Sequence, residues 1–85
     1  MLVIAMAYGD QPLERVVASE TDKLVYVVDP SVAATVENLA EVGVGFPRWS
    51  IFRFDKMLLS RLSVAWSSKD MPQLAALWKE AVPLH

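Results

Sequence analysis

The chain predicts an α+β domain: a small antiparallel sheet of three strands, or four if Trp49–Phe54 is extended, packed against three helices, the last two a helical hairpin. Short apolar runs rich in valine occupy the first third of the chain, at Leu2–Tyr8, Val16–Ser19 and Leu24–Val28. Apolar residues then recur at helical spacing after Asp29, after Asp55 and after Asp70. Strands grouped ahead of helices, rather than alternating with them, favour an antiparallel sheet over a parallel one.

Leu2–Tyr8 is a continuous apolar run closed by Gly9-Asp10-Gln11-Pro12, which reads as a buried strand and a turn. Val16–Ser19 and Leu24–Val28 flank the polar connector Glu20-Thr21-Asp22-Lys23, a hairpin pattern. Leu24–Val28 is apolar on both faces and is expected to be a central strand covered on each side. Asp29-Pro30-Ser31 opens a helix, since Asp29 can accept from a free amide of the first turn and Pro30 lacks an N–H that would go unpaired there. Val32, Ala33, Val36, Leu39 and Ala40 fall on one stripe, and Gly43 is expected to supply a left-handed stop.

Asp55 is the expected cap of the second helix, with Phe54 and Leu59 at hydrophobic-staple spacing. Its stripe runs through Leu58, Leu59, Leu62, Ala65 and Trp66. Ser67-Ser68-Lys69 is too short to separate two helices, so the third returns antiparallel. Asp70 and Gln73 have capping-box spacing, and Leu74, Leu77, Trp78 and Ala81 line a helix that ends before Pro83. Pro83–His85 reads as a short tail.

Eighty-five residues predict one domain, 1–85, with a narrow stability margin. Apolar residues make up 54% of the chain and mean hydropathy is +0.32. Much of that content is small, with ten alanines and twelve valines. Small residues need little hiding, but a total this high exceeds what one small core hides, which predicts a homodimer or a stable protein partner. With no cysteine, disulfides and thiolate chemistry are excluded, and a cytoplasmic location is expected. No secretory leader or membrane-length apolar run is read in the chain, so no membrane partner is expected. Residues 1–42 carry two cations and seven carboxylates, a balance of −5; residues 43–85 carry six cations and three carboxylates, a balance of +3. Charges this dispersed are expected to attract one half of a compact domain to the other.

Gly43–Asp55 concentrates two of the three glycines, all three phenylalanines, one of the three tryptophans and two of the four arginines. Strand and loop are equally consistent with Trp49–Phe54, whose alternation is poor. Gly43-Val44-Gly45 lacks the third glycine and the strand-to-helix setting of a dinucleotide fingerprint. Asp29 lies past a strand end, where carboxylates often serve active sites, but helix capping accounts for it directly.

The catalytic inventory is thin. The single histidine, His85, is the last residue, so a Ser–His–carboxylate triad has no base and a histidine zinc site has too few ligands. Glu20 and Asp22 read as a solvated turn rather than a metal site. No cofactor or metal is expected. Arg48, Trp49, Arg53, Lys56 and Arg61 form the one basic and aromatic cluster, yet the isoelectric point near 5.2 disfavours nucleic acid. The chain therefore reads as a non-enzymatic protein-interaction module: an adaptor, an accessory subunit or an inhibitor. Its expected partner-binding residues are Phe46, Arg48, Trp49, Ile51, Phe52 and Arg53, with Trp49 and Arg48 of the types that form interface hot spots. Nucleic-acid association through the C-terminal half, and a small carboxylate-dependent enzyme or toxin, are the alternatives.

Overall fold

The computed structural model describes residues 1–6 and 9–84. The expected strand end at Tyr8 and the terminal His85 lie outside the described residues. Five strands, β1 (Leu2–Met6), β2 (Pro12–Glu20), β3 (Leu24–Val28), β4 (Val44–Pro47) and β5 (Ile51–Arg53), form one antiparallel sheet in the order β4-β3-β2-β1-β5. Three helices accompany it: α1 (Pro30–Ala33), α2 (Lys56–Ser67) and α3 (Met71–Trp78), the last two close-packed as a hairpin. The fold class is the expected α+β, with five strands in place of three or four. No helix among the described residues is long and apolar enough to cross a membrane.

The connectivity forces this sheet to roll up. β4 and β5 are its two outer strands, about 19 Å apart if the sheet were flat. Pro47 lies level with Leu24 at the far end of β2, whereas Ile51 lies level with Ala5 and Leu13 near its start. Yet only four Cα–Cα steps, at most about 15 Å, join Pro47 to Ile51. The sheet must therefore coil until its edges approach, like a partly open barrel. A register shift between Val17 and Ser19 helps, because a bulge bends a strand and increases its twist. The first half of β2 thus pairs with β1, and the second half with β3.

Rolling gives two apolar clusters, one on each side of β1. Val3, Ala5, Val25, Val27 and Ile51 fill the inside, with Leu13, Val17, Phe46 and Leu84 packed against them. On the outside, Ile4 and Phe52 meet Leu58, Leu62 and Ala65 of α2 and Leu74, Leu77 and Trp78 of α3. The strand covered on both faces is thus β1, not β3 as its sequence implied: Leu24 and Tyr26 of β3 remain half-buried. The C-terminal tail is part of the fold. The Arg53 N–H donates to the Val82 carbonyl at 2.8 Å and the Leu84 N–H to the Ile51 carbonyl at 3.0 Å, so residues 82–84 cover the outer edge of β5. Covering an edge in this way blunts its tendency to pair with other chains.

The helix expected between Asp29 and Gly43 is the main departure. Asp29 does cap it, accepting from the Ser31 N–H at 2.8 Å, but α1 is four residues long and buries none of them. Thr35 ends it by donating its hydroxyl to the Val32 carbonyl at 2.9 Å. Asn38 then starts a separate 3-10 turn, Leu39–Glu41, by accepting from the Ala40 N–H. Side chains of this kind compete with the helix ladder, and a helix that buries no face has no packing to hold it. Gly43 is not in the left-handed region. A Cβ there would lie 3.0 Å from the Tyr26 Cβ and 3.2 Å from the Ala18 Cβ, so its role is close approach of strands rather than a helix stop.

The remaining helix signals are present. The Asp55 carboxylate accepts from the Leu58 N–H, and Phe54 and Leu59 pack on the same cluster. α2 ends in a Schellman turn: the Lys69 N–H donates to the Trp66 carbonyl and the Asp70 N–H to the Ala65 carbonyl. That second bond occupies the amide that Gln73 would take in a capping box, so only the half from Asp70 to the Gln73 N–H forms. Lys69 sits at φ 56°, where glycine is the unstrained residue. Lys69→Gly is expected to stabilise the fold by about 0.5–1 kcal/mol, read as a rise of a few degrees in Tm.

The hydrogen bonds of Asp29 shift its carboxyl. The Ser31 hydroxyl, at 2.6 Å, and then the Ser31 N–H hold its carboxyl below the ordinary value, with a smaller contribution from Arg15 at 3.6 Å. Its contribution to stability is present above the unfolded-state pKa, near 3.9, and is lost as pH falls through the folded-state value. Ser31→Ala is expected to raise the Asp29 midpoint toward that of a free aspartate in an NMR titration of its side-chain carboxyl.

Candidate functional site

The site is built on the crossover between the two edges of the rolled sheet. Pro47 ends β4, Arg48–Ser50 make one 3-10 turn, and Ile51 starts β5. Ser50 is the one buried polar residue among the described residues, and its hydroxyl donates to the Pro47 carbonyl at 2.7 Å. The Ile51 N–H donates to the Arg48 carbonyl. Arg48 reaches back to the β2–β3 hairpin, where one guanidinium nitrogen donates to Glu20 at 3.1 Å and to the Thr21 carbonyl at 2.9 Å. Of the ion pairs among the described residues, Arg48–Glu20 alone joins the acidic half to the basic half; Arg15–Asp29 and Arg61–Glu80 each lie within one half.

These ties hold Trp49 outward. Its side chain is 68% exposed at the tip of a turn fixed from both sides. Beside it lies a cleft of about 210 Å³ lined by Met6, Gly9, Asp10, Phe46, Pro47, Trp49 and Ser50. The opposite wall includes Gly9, at φ 91°, and Asp10, at φ 65°. That wall is anchored too, because the Trp78 indole N–H donates to the Asp10 carbonyl at 2.9 Å. The cleft thus lies between two segments fixed by the hairpin on one side and by α3 on the other.

The six expected partner-binding residues divide by burial. Ile51 is fully buried in the inner cluster, and Phe52 packs against Trp78 in the outer one with ring centroids 5.2 Å apart and planes tilted by 40°. Neither offers surface. Phe46 is half-buried, packing on the inner cluster while lining the cleft. Arg48 is half-buried and committed to Glu20 and Thr21. Arg53 is exposed at the far end of β5, away from the turn. Trp49 is therefore the large apolar side chain of this segment that faces solvent.

Met6, Asp10 and Pro47 join the site without any sequence signal for it. Gly9-Asp10 was legible as a turn, but its meeting with Trp49 depends on the sheet rolling up. Glu20 ends β2 and Asp22 sits in the hairpin turn, and no group of three or more metal-ligating side chains converges among the described residues. No protein-family model, curated protein or solved structure matches this chain, so the functional reading rests on the geometry of the site itself.

Proposed function

We propose that this chain is a small non-enzymatic protein-interaction module, acting as an adaptor, accessory subunit or inhibitor, that docks a partner protein through the Trp49 surface. The observation that carries this reading is a 68% exposed tryptophan on a turn tied down at both ends, beside an apolar cleft. A rigid, exposed aromatic anchor loses little conformational entropy on binding and is typical of interface hot spots. Core packing does not explain it, since the inner cluster is completed by Ile51, Phe46 and Leu84.

The charged side chains favour a protein partner over nucleic acid, because Arg48 and Arg61 are paired with Glu20 and Glu80. The cysteine-free sequence favours a reducing compartment, and we infer the cytoplasm. Affinity capture from the native host with the wild-type chain and with Trp49→Ala tests the module. Partners retained by the wild type and lost by a variant of unchanged Tm are the expected result. An identical set for both refutes it.

Self-association is the second reading. Val32, Val42 and Val44 are exposed around an apolar cleft of about 330 Å³ shared with Leu13, Val27 and Phe46. Light scattering across a concentration series decides it: a mass fixed at 9.5 kDa excludes the dimer.

A further inference from the structure

One exposed acidic residue lies beside Trp49. Asp10 lines the same cleft, and its carboxylate has no hydrogen-bond or ion-pair partner among the described residues. Its backbone is nonetheless fixed, in the left-handed region and through the Trp78 hydrogen bond to its carbonyl. Arg48, the nearest cation in sequence to Trp49, has its guanidinium on Glu20 and Thr21 rather than on Asp10. The cleft is therefore lined by one exposed acidic residue with no side-chain partner among the described residues, one exposed indole and an apolar floor of Met6, Phe46 and Pro47.

We propose that this cleft takes an arginine side chain from an extended segment of the partner protein, the guanidinium lying over the Trp49 indole and pairing with Asp10. The assignment rests on the docking role proposed for Trp49 and adds the chemistry of what docks. Volume supports it: about 210 Å³ is below the roughly 300–1,000 Å³ of small-molecule pockets and suits a single side chain. Charge supports it as well, since an acidic group beside an indole complements a cation, and tryptophan is the aromatic residue that attracts cations most strongly. Arginine suits the pair better than lysine because its planar guanidinium can stack on the ring and hydrogen-bond a carboxylate at the same time. Its aliphatic stem would cover the apolar floor.

The test is a titration of the ¹⁵N-labelled 85-residue chain with a blocked peptide, Ala-Pro-Arg-Pro-Ala, read at the Trp49 indole N–H and the Asp10 amide. A parallel peptide carries citrulline, which keeps the shape of arginine without its charge. Saturable shifts at both positions are expected, with the citrulline peptide about tenfold weaker. Asp10→Asn is expected to weaken the arginine peptide by a similar factor and to leave the citrulline peptide unchanged. Weaker binding of the arginine peptide at high salt should accompany this. Equal binding of both peptides at Trp49 would overturn the arginine assignment while sparing the docking surface. If neither peptide moves Trp49 but a captured partner does, the cleft assignment again fails and the surface stands. If no captured protein or peptide perturbs Trp49, both readings fall.

Discussion

Trp78→Ala is expected to cost about 3–5 kcal/mol, the range for deleting a large buried aromatic side chain. A domain of this length has a total stability of roughly 4–13 kcal/mol, so the loss removes between about a quarter and all of it. Trp78 has two duties. Its ring packs in the helix–sheet cluster against Phe52, and its indole N–H holds the β1–β2 turn through the Asp10 carbonyl. Trp78→Phe separates them by keeping an aromatic ring and removing the donor. It should be milder, with the lost hydrogen bond contributing about 0.5–1.5 kcal/mol. Urea unfolding followed by far-ultraviolet circular dichroism measures both. If the indole bond shapes the turn, amide exchange at Asp10 and at the Trp49 turn should rise in Trp78→Phe while exchange in α2 stays protected. A Trp78→Ala variant with Tm within a few degrees of wild type would mean that α3 is not docked on the sheet as described.

The legible parts of this chain were those whose causes are local. Asp55 and Asp70 cap α2 and α3, and the α2 and α3 stripes supply Leu58, Leu62, Ala65, Leu74, Leu77 and Trp78 to one cluster. The hairpin around Glu20–Lys23 was also visible, although β2 begins at Pro12 rather than Val16. Pro12 and the charged pair Glu14-Arg15 obscured its first half, but proline is tolerated at the start of a strand. The stretch after Asp29 failed because periodicity alone cannot distinguish a stripe with a surface to cover from one without. Val44–Pro47 carries no strand signal for a different reason. Gly43 and Gly45 weaken any strand pattern, yet here their missing side chains let Tyr26 pack close: a Cβ on Gly45 would lie 2.9 Å from the Tyr26 ring. Glycine beneath a cross-strand aromatic ring is a tertiary arrangement, invisible in one strand's sequence. The candidate site depended on the same non-local step. Trp49 stood out by composition, but Asp10 and Met6 reach it through a rolling of the sheet that no local pattern encodes.

Ile51→Ala and Trp49→Ala, two residues apart, should behave in opposite ways. Both are large apolar residues in the segment with the densest aromatic content, and composition treats them alike. The fold does not. Ile51 is fully buried among Val3, Ala5, Val25 and Val27, and its backbone joins β1 on one side and Leu84 on the other. Truncating it leaves a cavity at the seam where the two edges of the rolled sheet approach, at an expected cost of about 2–5 kcal/mol. Trp49 has no such neighbours, and its removal should change stability by less than about 0.5 kcal/mol, as for an ordinary surface substitution. Arg48→Ala falls between them. It cuts the tie to Glu20 and Thr21, but that pair is partly solvated and contributes at most about 1 kcal/mol. Chemical denaturation of the three variants orders them, and partner binding should order them differently. Trp49→Ala should lose binding while fully folded. Ile51→Ala should lose it only in proportion to its unfolded fraction, and recover it when excess partner draws the chain back to the native state. Should Trp49→Ala unfold the chain as Ile51→Ala does, the indole would be part of the core and the docking surface would have no anchor.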